Sequence, residues 1–372
     1  MIKYIGSKRL LVPHILQGVS AFPESNRVLD LFSGTSRVAR ALKATGRFVI
    51  ANDHLAYAAA LARCYVQADA TRWDRDARGL IEELRTVPPR AGYFTKAFCE
   101  EARYFQPHNG ARIDSIREEI ARRALPAELE AIALVSLMEA ADRVDSTTGV
   151  QMAYLKRWAA RAFNDLELRM PAILPGPGLA SQLEAVDAAS QTDADVAYID
   201  PPYNQHSYMG NYHVWETLVR WDKPATYGVA NKRIQCKAYK SDFNSKRRIR
   251  HSLAEVLAAV RCKHLLVSFS NEGYVDRDEM VDLLSSKGRV GVVSVDFKRY
   301  VGAQIGIHNP SGEKVGRVSH LRNREYLFVV SPRRQTVDAV VEAIETSIRS
   351  AVLARRTGKS KREGHDSERR VE

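Results

Sequence analysis

The sequence is poor in cysteine, with only four in 372 residues, and these lie far apart at Cys64, Cys99, Cys236 and Cys262. None belongs to a Cys-x-x-Cys pair, and none has a histidine nearby at the spacing typical of metal ligands. The ten histidines form no ligand cluster either. The sequence therefore predicts free thiols, no bound metal, and histidines that are surface or hydrogen-bonded groups.

Long hydrophobic runs are also missing. No stretch approaches the roughly 20 apolar residues of a membrane span, and the first residues lack the pattern of a signal peptide. We therefore expect no membrane partner and a cytoplasmic location. The hydrophobic content of 45% over 372 residues is enough for a large core. This length is typical of one α/β domain that carries an inserted second domain.

Acidic residues are fewer than basic ones, 44 against 56, which gives a net charge of +12. This excess favours a polyanionic partner, although a basic surface alone would also suit anionic lipid. Residues 232–250 hold eight of the bases and only one acid. Such a run is often only a solvated loop, but Tyr239 and Phe243 interleave with the bases here, which favours a nucleic-acid surface. The predicted phosphate contacts are Lys246, Arg247 and Arg248.

The most informative stretch is Asp200-Pro201-Pro202-Tyr203, which directly follows the apolar run Val196–Ile199. The run predicts a buried strand that brings Asp200 to its carboxyl end. Two successive prolines remove two backbone donors. The carbonyls of Asp200 and Pro201 are therefore predicted to face a cleft beside the Tyr203 ring.

Two acceptors beside an aromatic ring suit the attack of an exocyclic amine on an activated methyl group. The amine of adenine is a weak nucleophile because its lone pair is delocalised into the ring, and acceptors on its hydrogens would favour tetrahedral geometry. Asp200 and the Pro201 carbonyl are the predicted acceptors, with Tyr203 stacked on the base. The alternative is a structural turn that ends the strand, since Asp-Pro commonly opens turns.

A second strand-end motif lies nearer the N-terminus. Residues 28–32 are predicted to form a buried strand, Ser33-Gly34-Thr35-Ser36 follows, and residues 37–44 have a helical pattern. A strand, a glycine turn and a helix N-terminus make the usual seat of a nucleotide-like ligand. The residues predicted to form this seat are Asp30, Phe32, Ser33 and Gly34.

The next predicted strand, residues 48–53, ends at Asp53. An acid about twenty residues after the glycine turn stands at the spacing that meets a ribose hydroxyl in doubly wound nucleotide folds. Asp53 is therefore the predicted ribose ligand. It could also cap the helix that follows, a role that aspartate fills readily.

Three of these stretches together resemble one family, the α-group of DNA adenine N6-methyltransferases, the relatives of Dam. Lys3-Tyr4-Ile5-Gly6-Ser7-Lys8 is similar to the opening cofactor motif of the family, and residues 30–36 are similar to its F-x-G-x-G motif. Asp200-Pro201-Pro202-Tyr203 is similar to its catalytic signature, and the three motifs follow the order of the α-group. Ser36 departs from the pattern, because a second glycine is expected there.

The resemblance implies an α/β fold, a Rossmann-like S-adenosylmethionine-dependent methyltransferase sheet with an inserted helical target-recognition domain. The catalytic domain would comprise residues 1–70 and 178–335, the insert residues 71–177, and residues 336–372 a C-terminal helix and a basic, disordered tail. The resemblance assigns S-adenosylmethionine to the glycine turn and adds contacts from Tyr4, Gly6 and Lys8. It also assigns Asp187, at the end of a predicted strand over residues 182–187, to the adenine amine of the cofactor.

The implied function is methylation of adenine N6 within a specific sequence of double-stranded DNA, with a cognate restriction endonuclease as a further partner. Behind the catalytic turn, Tyr208, Asn211 and Tyr212 would belong to a DNA-binding loop that closes over a flipped base. Two alternatives remain open. The same chemistry could act on RNA or on a protein glutamine, or the chain could be an inactive DNA-binding protein, which the intact Asp200 argues against.

Overall fold

The centre of the fold is a seven-stranded sheet in the order β3-β2-β1-β4-β7-β9-β8. This computed structural model describes residues 1–298 and 322–368. Its strands are β1 (Arg27–Asp30), β2 (Phe48–Asn52), β3 (Gly178–Ser181), β4 (Val196–Ile199), β5 (Thr226–Tyr227), β6 (Lys232–Arg233), β7 (His264–Ser270), β8 (Arg289–Lys298) and β9 (Arg322–Ser331). Strand β9 runs antiparallel to β7 and β8, whereas β3, β2, β1, β4 and β7 pair in parallel. Strands β5 and β6 form a separate hairpin.

Helices cover both faces of the sheet. They are α1 (Val12–Ala21), α2 (Arg37–Lys43), α3 (Ala56–Ala62), α4 (Ala70–Arg85), α5 (Tyr93–Thr95), α6 (Pro107–Arg122), α7 (Ala127–Arg143), α8 (Ala185–Gln191), α9 (Tyr208–Asn211), α10 (His213–Arg220), α11 (Gln235–Ala238), α12 (Ile249–Ala259), α13 (Arg277–Ser285) and α14 (Arg334–Glu368). One face packs on α1, α2 and α14, and the other packs on α8, α12 and α13. Because both faces are covered, every residue of β4 and β7 is buried. The prediction of a Rossmann-like sheet is confirmed.

A second apolar core is formed mainly by residues that lie between β2 and β3 in the sequence. Helices α4 to α7 bury residues such as Trp73, Phe94 and Ile132, and α10 adds Trp215 to the same cluster. Lys3 links the N-terminal segment, residues 3–8, to this helical region. Its ammonium donates to the Asp142 carbonyl at 2.6 Å and to Asp145 Oδ1 at 2.7 Å. The N-terminal segment therefore contacts both the helical region and the sheet.

Two predictions about elements are wrong. Residues 182–187 do not form a strand, because β3 ends at Ser181 and α8 begins at Ala185. Asp187 lies in the first turn of α8 with an exposed side chain, where an acid is stabilised by the helix dipole. The C-terminal helix runs to Glu368, through part of the tail that is expected to be disordered. Residues 369–372 of that tail lie outside the described residues.

Candidate active site

The carboxyl ends of β1, β2 and β4 meet the N-terminal segment in one cleft. Doubly wound sheets bind ligands at this edge, where the strand order reverses, and here the reversal lies between β1 and β4. The cleft is lined by Tyr4, Gly6, Ser7, Lys8, Asp30, Phe32, Ser33, Gly34, Thr35, Arg37, Val38, Asp53, His54, Leu55, Tyr198, Asp200, Pro202 and Tyr208. Every residue predicted to bind the cofactor lies in this lining except Asp187. Asp187 is exposed on α8 and does not line the cleft.

The residues after β4 place a carboxyl group in the cleft. Asp200 follows directly on the buried strand and is 17% exposed. Pro202 lines the cleft, whereas Pro201 is buried beneath it. The Tyr203 ring packs on Phe269 of β7 with ring centroids 5.3 Å apart. Tyr203 therefore stands beside the cleft, held by the neighbouring strand.

Lys8 links Asp200 to the antiparallel strand β9. Its ammonium lies 3.0 Å from Asp200 Oδ1 and 3.5 Å from Glu325 Oε2. The lysine is 7% exposed, so its charge is shared between these two carboxylates inside the protein. Burial alone would lower the pKa of Lys8, but Asp200 and Glu325 raise this pKa well above its ordinary value. Lys8 therefore stays protonated.

Three carboxyl groups in the cleft have raised pKa values, and burial is the main cause for each, including Asp53. Burial raises the pKa of Asp200 to about 6, with Lys8 acting against the rise and Glu325 acting with it. Burial raises the pKa of Asp30 to about 8, and the charge of Asp200 adds to this rise. Asp30 Oδ2 accepts from the Ala39 backbone N–H at 3.1 Å, whereas Oδ1 is buried without a hydrogen-bond partner among the described residues. A cationic donor in the cleft would satisfy that oxygen.

The glycine turn after β1 uses two left-handed residues. Gly34 has φ +50° and Ser36 has φ +57°. A left-handed residue explains why glycine is expected at position 36, and the serine there accepts a hydrogen bond from Ser33 Oγ at 3.0 Å. Asp53 clamps the turn, since its Oδ2 accepts from the Gly34 N–H at 2.9 Å and its Oδ1 from the Leu55 N–H at 3.0 Å.

Three tyrosines, Tyr4, Tyr208 and Tyr212, stack on one another at one end of the cleft. The Tyr4 ring stacks on Tyr208 at 5.2 Å and on Tyr212 at 4.6 Å, measured between centroids. Tyr212 is fully buried, and its hydroxyl accepts from the Ile5 N–H at 2.6 Å. Asn211 is buried as well. Of the three residues predicted to contact DNA here, only Tyr208 borders the cleft, because Asn211 and Tyr212 are buried in the protein.

The basic segment, residues 232–250, contacts the cleft directly. Tyr239 stacks on His54 and its hydroxyl is hydrogen-bonded to His54 Nε2. The Phe243 ring meets the Phe32 ring edge-on at 5.2 Å. Asn244 Nδ2 donates to the carbonyls of Asn204 at 2.6 Å and His206 at 3.1 Å, both in the loop after Tyr203.

Most of the bases in this segment point to solvent. Lys246, Arg247 and Arg248 are exposed, although Arg248 pairs with Asp242 at 2.8 Å. Arg233 is the exception, because it is fully buried and pairs with Asp222 at 2.6 Å. Arg233 therefore has a structural role and cannot add to a phosphate-binding surface.

Several residues of the site were missed in the sequence. Glu325 lies in an ordinary strand pattern, and only tertiary pairing brings it to Lys8. Arg37 and His54 line the cleft immediately after two predicted motifs. The helix start at Arg37 and the strand end before His54 were the available signals. Such signals mark an edge of the sheet but do not show which side chains turn into the cleft.

The described residues offer neither a metal site nor a membrane-spanning helix. Within residues 1–298 and 322–368, no group of three or more His, Cys, Asp or Glu side chains is arranged to hold a metal ion. Among the helices described, none combines the length and the apolar character needed to cross a membrane.

Comparisons with known proteins agree with this geometry. Residues 4–283 match the model of the D12 class N6 adenine-specific DNA methyltransferase family. The chain is 30% identical to Modification methylase StsI of Streptococcus sanguinis, over 80% of this chain and 49% of that protein. It is 30% identical to Type II methyltransferase M.FokI of Planomicrobium okeanokoites, over 77% of this chain and 47% of that protein.

One relative matches over nearly its full length. Type II methyltransferase M.NlaIII of Neisseria lactamica is 28% identical over 80% of this chain and 92% of that protein. The chain spans about half the length of StsI and M.FokI.

Proposed function

The chain belongs to the D12 class N6 adenine-specific DNA methyltransferase family, and on that basis we propose that it transfers a methyl group from S-adenosylmethionine to adenine N6 in a specific sequence of double-stranded DNA. The observation that carries the proposal is the position of Asp200. It lies beside the glycine turn, in the cleft where a doubly wound sheet binds ligands.

The reaction requires a nucleophile to be aligned with an electrophilic methyl group, which S-adenosylmethionine supplies as a sulfonium when bound. Asp200 accepts a hydrogen bond from the exocyclic amine, with the Pro201 carbonyl as a second acceptor, and Tyr203 stacks on the flipped base. S-Adenosylmethionine held in this cleft would supply the methyl group to the nitrogen lone pair. The surplus amine proton passes through Asp200 to solvent.

The residues of the cleft fit the proposed cofactor. The aromatic rings of Tyr4 and Phe32 offer flat surfaces to a purine, and the unpartnered Asp30 Oδ1 offers an acceptor to the amino group of the methionine moiety. Asp53 is placed for the ribose hydroxyls, because each carboxylate oxygen retains acceptor capacity beyond its one backbone hydrogen bond. Gly34 allows close approach of the backbone.

The helical region is the proposed reader of the DNA sequence. Residues 71–177 would form the target-recognition insert, and the exposed bases of residues 232–250 would contact phosphates beside the catalytic cleft. We further propose that the enzyme is the modification half of a restriction-modification pair with a cognate nuclease. This proposal is supported by the names of the relatives, which are modification methylases and Type II methyltransferases.

The experiment is methyl transfer from labelled S-adenosylmethionine to duplex DNA, followed by methylated-base sequencing. We expect N6-methyladenine within one short sequence, and a loss of about 10²–10³ in kcat for Asp200→Ala with cofactor binding retained. The control is Asp193→Ala, outside the proposed target-recognition insert, whose side chain is 81% exposed. Label on RNA or on protein alone, or full activity of Asp200→Ala, would refute the proposal.

A further inference from the structure

Glu325 on β9 belongs to none of the sequence motifs, yet it lies in the same buried cluster as Asp200. Resting on the proposed methyl transfer, we infer that Glu325 is a positioning residue that acts through Lys8 to fix the orientation of the Asp200 carboxylate. Its role is distinct from that of Asp200, because Glu325 touches Lys8 and does not line the cleft.

The geometry places one ammonium between two carboxylates from different parts of the fold. Asp200 follows β4, Glu325 lies on β9 opposite Ser270 of β7, and Lys8 comes from the N-terminal segment. All three side chains are buried or nearly so, with exposures of 7% for Lys8, 17% for Asp200 and 14% for Glu325. Glu325 is held by the hydrogen bonds of the sheet, so it can anchor the long and flexible lysine side chain.

The cluster leaves one side of the Asp200 carboxyl for a substrate. Oδ1 is fully buried on the side of Lys8, so the accessible part of the group is on the side of Oδ2. A carboxylate held at one oxygen by an ammonium keeps its second oxygen in a fixed direction. Without Glu325, Lys8 would have a single carboxylate partner and could rotate with it. Asp200 would then meet the amine in a wider range of orientations.

The charges around Asp200 make this inference testable by titration. Lys8 from the N-terminal segment, Glu325 from β9 and Asp30 from β1 are the charged groups that act on Asp200, and the hydroxyls of Tyr198, Tyr203 and Tyr208 also face it. Lys8 and Glu325 have opposite charges. Removal of each should therefore move the titration of Asp200 in opposite directions.

The first test does not require activity. The wild-type protein, Glu325→Gln and Lys8→Met are labelled at the aspartate carboxyl carbon and titrated by NMR, with Asp200→Asn assigning the resonance. We expect the pKa of Asp200 to fall in Glu325→Gln, because a neighbouring negative charge is lost, and to rise in Lys8→Met. If Lys8→Met does not fold, the double variant Lys8→Met/Glu325→Gln replaces it, since it leaves only one buried carboxylate without a partner. The pKa of Asp200 should then be higher in the double variant than in Glu325→Gln.

The second test measures methyl transfer against pH. In Glu325→Gln, kcat should fall on the order of 10-fold, within the ~100-fold that a group misplaced by about 1 Å can cost. The KM for S-adenosylmethionine should not change, and the acid limb of the kcat profile should move to lower pH together with the NMR titration. The matched control is Glu342→Gln on α14, which removes the same charge from an exposed site.

The outcomes separate the two proposals. Opposite shifts of the Asp200 titration in a protein that does not methylate DNA would support the cluster and refute the proposed function. A wild-type enzyme that methylates DNA, with an Asp200 titration and a kcat profile that Glu325→Gln leaves unchanged, would overturn the role of Glu325. A fall in kcat without any change in the pH profile would assign Glu325 to the structure of β9 alone.

Discussion

At the scale of single residues, the buried carboxyl group of Asp30 should link folding stability to pH. Its pKa is raised to about 8 by burial and by Asp200, whereas an unfolded aspartate titrates near its ordinary value of 3.8. Between these values the folded state binds a proton that the unfolded state lacks. The contribution of Asp30 to stability is therefore fully present at low pH and is lost as the pH rises through the folded pKa.

Asp30→Asn should remove this dependence. Its unfolding free energy relative to the wild type should decrease as the pH is lowered from 8 to 5, by up to roughly 1.4 kcal/mol per pH unit. Urea unfolding of both proteins at several pH values measures it. Asp165→Asn, at a site that is 97% exposed, is the control for loss of an aspartate. Parallel stability curves for wild type and Asp30→Asn would show that Asp30 is ionised in the folded protein.

Residues in local motifs could be predicted from the sequence, whereas residues defined by long-range packing could not. Asp200 and Gly34 were predicted to lie at strand ends because a strand and the turn after it are encoded in a few consecutive residues. Tyr212 was assigned to a DNA-binding loop because its neighbours are polar, but the Tyr4 ring covers it from the other end of the chain. Glu325 gave no signal, since a carboxylate in an alternating strand ordinarily faces solvent.

At the scale of elements, the basic segment, residues 232–250, has two surfaces with different roles. Its exposed bases face solvent, while Tyr239 and Phe243 pack on two residues of the cofactor cleft. A segment that contacts both DNA and the cleft can couple the binding of DNA to the binding of a ligand in the cleft. Such coupling is reciprocal for the two binding free energies. If the basic segment binds DNA, the affinity of the protein for S-adenosylmethionine should be higher when DNA is bound.

Phe243→Ala should weaken this coupling. The loss of the aromatic pair with Phe32 should weaken S-adenosylmethionine by about 0.5–1.5 kcal/mol, or roughly 2- to 10-fold. Calorimetry with and without duplex DNA measures both the affinity and the coupling. Val352→Ala, at an apolar side chain of α14 that is 46% exposed, is the control. Wild-type affinity in Phe243→Ala would mean that the segment does not cover the bound cofactor.

The elements themselves followed from the sequence in most places. Strands β1, β2, β4 and β7 coincide with apolar runs because both faces of the sheet are covered. The mistaken strand before Asp187 has a physical reason. Strand β3 is only four residues long and lies at the edge of the sheet, so it carries little apolar signal, and the buried side chains of α8 are all alanines.

At the scale of the whole molecule, the net charge of +12 should make DNA binding strongly dependent on salt. Lys246, Arg247 and Arg248 carry three of these charges on the exposed side of the basic segment. Each phosphate contact adds about 0.9 to the slope of log affinity against log salt. The triple alanine variant should therefore lower the magnitude of the slope by about 2 to 3, with the lower value if Asp242 retains Arg248 in the complex.

Equilibrium binding to target and non-target duplexes at several salt concentrations measures this slope. Preference for the target should change little, because phosphate contacts position the protein and base contacts specify the sequence. The matched control removes the same charge from the C-terminal helix and the residue before it, at Arg333, Arg334 and Arg349. An equal effect of both triple variants would mean that the charge acts only through the overall field.

The N-terminal segment contacts residues that lie far along the chain, and this affects the order in which the fold can form during synthesis. Lys3 binds Asp142 and Asp145, and Lys8 binds Asp200 and Glu325, so both lysines are translated long before their partners. Contacts of high sequence separation also form slowly. A nascent chain halted before β9 would lack the anchor of Lys8. Such unfinished chains should therefore leave the Asp200 carboxylate without a fixed orientation.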